Sequence, residues 1–144
     1  MLKRFFTSDE ISIDLGLLIA RLGVGLSLVI FHGYHKLMGG PETWAGLGES
    51  MKYVHITSYP VVWGFLSAFA ESICACLIVV GMLFRPAAFF VAFNMFVAVL
   101  THLHMPADAP AHGWMGASHA LELMAVSLGF MFTGPGKFSL TMRG

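Results

Sequence analysis

Four long apolar blocks constrain the fold of this chain more than any other feature of its sequence. They cover roughly residues 15–38, 61–83, 86–104 and 114–133. Each block is close to the ~20 residues that a helix needs to cross about 30 Å of hydrocarbon. Backbone groups in lipid must satisfy their own hydrogen bonds, and no block shows the alternation of a barrel strand. The sequence therefore predicts an all-α integral membrane four-helix bundle, formed as a single domain over residues 1–144.

The composition supports this class and argues against others. Hydrophobic residues make up 57% of the chain and charged residues 11%, against roughly 25% charged in an ordinary soluble domain. The formal net charge is zero and there is no basic tract, so nucleic acid is not an expected partner. The first block is too long for a signal peptide, contains Arg21 and lacks a small-residue cleavage site after it, so it is expected to be a permanent span.

The distribution of positive charge outside the blocks predicts the orientation. Five Lys or Arg residues fall on the side of the termini and two on the other side (Lys3, Arg4, Arg85, Lys137 and Arg143, against Lys36 and Lys52). The positive-inside rule then places both termini in the cytoplasm. The only long connection, residues 39–60, has Trp44, Leu47 and Met51 at helical spacing. It is expected to form a short helix on the outer surface.

Three charged residues inside the blocks are expected to face the interior of the bundle, because a charge facing hydrocarbon is costly. Arg21 approaches from the side of the termini, and Glu71 and Glu122 lie ~12–16 Å below the outer surface at 1.5 Å per residue. The long side chain of Arg21 is expected to reach Glu71. This contact has a functional interpretation and a purely structural one, in which it fixes the helix register.

Histidines mark the outer side of the bundle. Three of them, His32, His102 and His119, lie roughly 5–9 Å below that surface on three different helices. They are expected to converge on one cavity with Glu71 or Glu122 at its floor, although a histidine near a span end can also serve only as a hydrogen-bonding rim residue.

The stretch "FHGYHK", residues 31–36, contributes to both the cavity and its rim. His32 is assigned to the interior, and His35 and Lys36 to the rim, with Lys36 extending its ammonium to the headgroups. Gly33 would let a neighbouring helix or a flat ring approach closely.

Two cysteines, Cys74 and Cys76, lie in the second block. Residues two apart on a helix point about 200° apart, so they cannot form a disulfide with each other. This argues against a disulfide-forming enzyme, which would use a C-x-x-C pair.

Three stretches in order resemble the DoxX family: "ARLGVGLSLVIFHGYHKLMG" at 20–39, "AESICACLIVVGMLFRPAA" at 70–88 and "TGPGKFSL" at 133–140. Members of that family are small four-helix membrane proteins related to the small subunit of thiosulfate:quinone oxidoreductase. The resemblance covers nearly the whole chain after residue 15. The family commonly ends in S-L-D, where this chain has Ser139-Leu140-Thr141. The positions that match the family pattern are Arg21, His32, Gly33, Lys36, Glu71 and Glu122.

The resemblance implies a bacterial inner membrane location and a quinone-linked redox role. The leading hypothesis is therefore an oxidoreductase component that interacts with quinone or quinol, which would enter between helices beneath a lid formed by residues 39–60. In this hypothesis the cofactor-binding residues are His32, His102, His119 and Lys36, and the catalytic residues are Arg21, Glu71 and Glu122.

The two electrons exchanged with a quinone need a second redox centre, and the sequence leaves several candidates for that centre open. A second redox protein is one. Haem or copper bound by His32, His102 and His119 is another, and "HLHM" at 102–105 is typical of copper-binding tracts. A homo-oligomer is also compatible with the sequence. The alternative from another class is a non-catalytic subunit that anchors or assembles a redox or stress-response complex.

Overall fold

The computed structural model describes residues 12–140, and all regular secondary structure within that range is helical. Helix α1 is Ile13–Met38, α2 is Gly40–Gly48, α3 is Pro60–Val80, α4 is Phe84–His104 and α5 is Gly113–Thr133. A 3₁₀ turn, Glu49–Val54, follows α2. The four long helices α1, α3, α4 and α5 are long and apolar enough to cross a membrane. The predicted all-α fold with four spans is confirmed.

Four spans define two ends of the bundle. The terminal face carries Ser12, Leu140 and the turn at 81–83, and the loop face carries the connections at 39–59 and 105–112. The second span ends at Val80 and not at the predicted residue 83. Gly81 (φ 78°) and Leu83 (φ 44°) adopt left-handed conformations that end α3 and reverse the chain tightly into α4.

The orientation of these faces in the membrane stays a prediction. Alkaline phosphatase inserted at Ala109, in the loop face, is expected to be active in the periplasm. The same enzyme fused after Leu140 is expected to be inactive, because the excess of Lys and Arg at the terminal face favours the cytoplasm. An active fusion at Leu140 together with an inactive one at Ala109 would contradict the orientation. Lys3, Arg4 and Arg143, which contribute to that excess, lie outside the described residues.

Two π-helical segments face each other inside the bundle. One is Leu28–Gly33 in α1, and the other is Ala70–Cys74 in α3. A Cβ atom added at Gly33 would overlap the backbone carbonyl of Glu71, so α1 and α3 touch backbone to backbone here. Of the two partners expected at Gly33, a neighbouring helix or a flat ring, the structure has the neighbouring helix. Single turns of π-helix are rare and occur frequently at functional sites.

Helix α2 lies on the loop-face end of α3. A Cβ atom at Gly64 would overlap the backbone of Trp44, and one at Gly48 would overlap the backbone of Pro60. The Trp44 ring packs edge-on against Phe65 at 5.0 Å between centroids. This confirms the short helix expected in the first outer connection, and it holds that connection against the bundle.

Arg21 holds the segment that follows α5. The side chain is fully buried, its Nη1 donates to the carbonyl of Pro135 at 3.1 Å, and its Nη2 donates to the carbonyl of Phe138. The predicted contact between Arg21 and Glu71 is wrong, since both groups have other partners. The physical reason is directional: side chains on a helix tilt toward its N-terminus, which for α1 is the terminal face and away from Glu71.

Candidate functional site

Glu71 is the centre of a buried polar network between three helices. Its Oε1 accepts hydrogen bonds from Lys36 Nζ of α1 at 2.6 Å and from Asn94 Nδ2 of α4 at 2.7 Å. The residue is only 3% exposed. Its second oxygen, Oε2, is buried without a hydrogen-bond partner. A buried carboxylate oxygen without a donor is energetically costly.

The position of Lys36 corrects the sequence prediction. Its ammonium was expected at the headgroups, but it turns down into the bundle and forms an ion pair with Glu71. The side chain keeps 26% exposure, so it lies between the loop face and the interior. Two effects explain this direction. Side chains on α1 tilt toward the terminal face, and a buried carboxylate attracts the nearest cation.

A cavity of about 380 Å³ opens beside this network, between α3 and α4 and beneath the connection at 39–59. We call it the lateral cavity. Three phenylalanines in its wall, Phe89, Phe90 and Phe93, are 40–52% exposed on the outside of the bundle. The cavity therefore reaches the lipid-facing surface. Its lining combines an apolar wall with a few polar groups (Leu47, Met51, Trp63, Leu66, Phe89, Phe90, Phe93, Val97 and Ala98; Lys36, Ser50, Ser67, Glu71, Asn94, Thr101 and His102).

His102 contributes a second acceptor to this wall. Its Nδ1 lies 2.8 Å from the carbonyl oxygen of Ala111. A carbonyl oxygen only accepts, so Nδ1 carries the proton and donates, and Nε2 of the neutral ring is left as an acceptor. The lateral cavity is thus lined by two residues, Glu71 and His102, that each carry an acceptor atom.

A smaller cavity of about 170 Å³ lies on the other side of the network. We call it the histidine chamber, because His32, His102 and His119 all line it together with Lys36 and Glu71. The rings of His32 and His119 are 5.6 Å apart between centroids and tilted by 31°. The three histidines come together as the sequence predicts. Lys36, Glu71 and His102 line both cavities, so the Glu71 network separates two spaces and is accessible from each.

The residues present do not fit haem or a protein-held metal ion. The histidine chamber is smaller than the lower end of about 300 Å³ for small-molecule sites. Within residues 12–140, no three His, Cys, Asp or Glu side chains are arranged to hold a metal ion. In the "HLHM" tract, His104 Nδ1 contacts the carbonyl of Leu100 at 2.7 Å, and the ring stacks on Tyr53.

Two of the predicted catalytic residues lie away from the cavities. Arg21 is at the terminal face, where it binds backbone carbonyls. Glu122 is exposed on the outer face of α5 and lines neither cavity. The prediction that Glu122 faces the interior is wrong for a single chain. The inward face of α5 is formed by residues that pack closely against α4 (Ala117, Ala120, Leu123, Ser127 and Phe130).

The role of Asn94 was not predicted. It is the sole amide side chain of α4 and lies ten residues before His104, about 15 Å below the loop face. Glu71 lies eleven residues after Pro60, about 16 Å below the same face. The matching depths of an amide and a carboxylate on adjacent helices were the signal available in the sequence.

Comparison with known families gives one result. The family model described as DoxX matches residues 16–104, more than half of the chain. The matched region contains the Glu71 network and both π-helical segments, whereas α5 with His119 and Glu122 follows it. Neither the comparison with curated proteins nor that with solved structures gave a match.

Proposed function

The chain belongs to the DoxX family of membrane proteins, and on that premise we propose that it binds a quinol in the lateral cavity as a component of a membrane oxidoreductase. One observation carries the proposal. The buried Oε2 of Glu71 has no hydrogen-bond donor among the described residues, and Glu71 lines an apolar cavity that reaches the lipid. A lipid-soluble molecule with a hydroxyl donor would satisfy it.

The size and lining of the lateral cavity support a flat aromatic ring with an apolar tail. A volume of about 380 Å³ falls within the range of about 300–1,000 Å³ typical of small-molecule sites. Trp63 and Phe93 offer aromatic surfaces against which a ring can pack. The exposed side of Phe93 and its neighbours would let a tail extend into the bilayer.

The polar groups favour the reduced form of the ligand over the oxidised form. A quinol has two hydroxyl donors, and the cavity offers two acceptors in Glu71 and His102. Asn94, which holds Glu71, and His102 are eight residues apart on α4, about 12 Å along the helix. That separation suits a ring with a hydrogen bond at each end. An oxidised quinone has only acceptor oxygens, so it would hydrogen-bond to donors such as Lys36 and Asn94 and would leave Glu71 Oε2 and His102 Nε2 without a donor.

In this proposal each residue has a defined task. Glu71 and His102 accept the two protons of the quinol, and Lys36 and Asn94 hold the Glu71 carboxylate so that Oε2 faces the ligand. The histidine chamber is lined by polar groups and is large enough to hold water. Protons could therefore leave Glu71 through that chamber, past His32 and His119. The two electrons pass to a second redox protein, because no side chain of this chain is a stable electron carrier.

The proposal is tested by comparing menadiol and menadione as probes. We expect the purified protein to bind menadiol more tightly than menadione, measured by quenching of tryptophan fluorescence under anaerobic conditions. Glu71→Gln keeps the size of the side chain but replaces an acceptor-only group with an amide that also donates. It should abolish the preference for menadiol. The same change at the exposed Glu42 of α2 is the control and should leave the preference intact.

A second pair of variants locates the binding site. Phe93→Ala removes a ring from the cavity wall and should weaken menadiol binding about five- to tenfold, from the ~1–1.5 kcal/mol of an aromatic contact. Phe96→Ala removes an equally exposed ring that does not line the cavity and should change nothing. Absence of saturable binding, or equal effects of the two changes, would contradict the proposal and favour a non-catalytic anchoring subunit.

A further inference from the structure

Glu122 is a carboxylate at the middle of a membrane span, on the surface of the bundle. It is the tenth of 21 residues in α5, and its side chain is exposed. Within the described part of the chain, no hydrogen bond or ion pair engages it. The middle of the hydrocarbon offers no water and is too far from either headgroup layer for a glutamate to reach. Charged residues within spans almost always face protein or a water-filled cavity, so this face of α5 requires a partner.

The surface around Glu122 is suited to contact with another helix. We define the Glu122 face as Ser118, His119, Glu122, Ala125, Gly129 and Thr133, all of which are exposed. Ala125, Gly129 and Thr133 follow one another at intervals of four residues, the small-xxx-small spacing that lets two helix backbones approach closely. A Cβ atom added at Gly129 would meet nothing within 4 Å in the single chain. The groove at Gly129 is therefore open.

We infer that a second copy of this chain covers the Glu122 face, as a two-fold dimer in which Glu122 of each copy accepts a hydrogen bond from His119 of the other. The charge pattern identifies the occupant. The face carries both an acceptor, Glu122, and a donor, His119, one turn apart on the same helix. Such a surface is self-complementary, as a two-fold interface requires.

The membrane fixes the relation between the copies. Both insert in the same orientation, so the two-fold axis runs along the membrane normal and equivalent residues of the two copies lie at the same depth. His119 is then only about 4.5 Å from Glu122 of the second copy in depth, a difference that the two side chains can bridge.

The dimer would complete a site that one chain leaves open. His119 lines the histidine chamber and lies beside His32. A carboxylate from the second copy, bonded to one nitrogen of His119, would fix the orientation and tautomer of that ring. Glu122 of the neighbouring chain would then orient a histidine that lines the chamber. The inference rests on the exposure of Glu122 and not on quinol binding, so each can fail without the other.

Disulfide cross-linking in membranes tests the dimer. The background is the full chain with Cys74→Ala and Cys76→Ala, oxidised with copper phenanthroline. Gly129→Cys, and independently Ala125→Cys, should give a disulfide-linked adduct with twice the mass of the chain. Gly16→Cys is the matched control: it too is an exposed glycine with free space, about one turn from the terminal face, but on α1. It should remain monomeric.

Substitution of Glu122 tests the pairing itself. Glu122→Leu should lower the cross-linked fraction at Gly129→Cys by roughly three- to tenfold, as expected when interhelical hydrogen bonds in a membrane are lost. Glu122→Gln keeps an acceptor oxygen and should retain most of the cross-link. Equal cross-linking at positions 16 and 129, no adduct at either 125 or 129, or an adduct that contains a different protein would overturn the dimer. An unchanged cross-link in Glu122→Leu would overturn the role of Glu122.

Discussion

Replacing Lys36 with methionine is expected to destabilise the protein by about 3 kcal/mol, the lower end of the ~3–5 kcal/mol measured when one partner of a buried ion pair is removed. The change leaves the carboxylate of Glu71, which is 3% exposed, with Asn94 as the remaining donor within the described residues. The lower end is appropriate because the Lys36 side chain keeps 26% exposure, so solvent already weakens the interaction. Thermal unfolding in detergent measures the effect.

A double variant tests whether the lost stability comes from the unpaired charge of Glu71. Lys36→Met/Glu71→Leu removes both charges, and replacing a buried pair by apolar residues is often neutral. It should therefore recover most of the stability lost in Lys36→Met. Lys52→Met is the control, since the Lys52 side chain is exposed and, among residues 12–140, its ammonium lies over the ring of Tyr53. Surface changes of this kind usually stay within about 0.5 kcal/mol. A Lys36→Met variant as stable as the control would show that the pair does not hold α1 to α3.

Gly33→Ala is expected to cost about 3 kcal/mol or more, the upper end for adding a group to a packed interior. The added Cβ would overlap the backbone carbonyl of Glu71 and contact the backbone of Ser72. Backbone atoms in a helix cannot move aside as a flexible side chain can. The two π-helical segments would have to separate, and Lys36 would then move away from Glu71. Both the unfolding temperature and menadiol binding should fall.

Gly23→Ala is the matched control for this prediction. Gly23 is in the same helix, but a Cβ atom there would meet nothing within 4 Å. Alanine is favoured over glycine in a helix by up to about 1 kcal/mol, so this change should be neutral or stabilising. The two substitutions are chemically identical, but Gly33→Ala alone of the two should destabilise the protein. Equal effects would mean that α1 and α3 do not touch at Gly33.

The helices could be predicted from the sequence because the thickness of the hydrocarbon fixes their length. The four apolar blocks coincide with the four spans to within a few residues. The convergence of His32 and His119 also followed from depth and helical periodicity. The π-helical segments could not be predicted, since a wider turn leaves no pattern in the side chains. In the sequence, the close contact between the two segments was indicated only by Gly33, which has no side chain.

The partners of the charged residues were harder to predict. Arg21 binds two backbone carbonyls, and backbone acceptors carry no sequence signature. Lys36 was assigned to the headgroups from the position of its Cα, whereas its long side chain reaches Glu71. Glu122 was predicted to face the interior of the bundle because a charge within a span usually contacts protein. A second chain would provide such a contact equally well. A single sequence does not show whether the contact comes from the same chain or from another.

The contact between Arg21 and the segment after α5 has a consequence for how the protein is made. The guanidinium in the first span binds carbonyls of Pro135 and Phe138, and Asp14 of the same helix accepts a hydrogen bond from the backbone of Lys137. None of these bonds can form until the ribosome has passed residue 138. During synthesis the first span is therefore made before the carbonyl groups that bind Arg21 in the folded protein exist. Closure of the bundle therefore comes late in synthesis, because the segment after α5 supplies the partners of the first span.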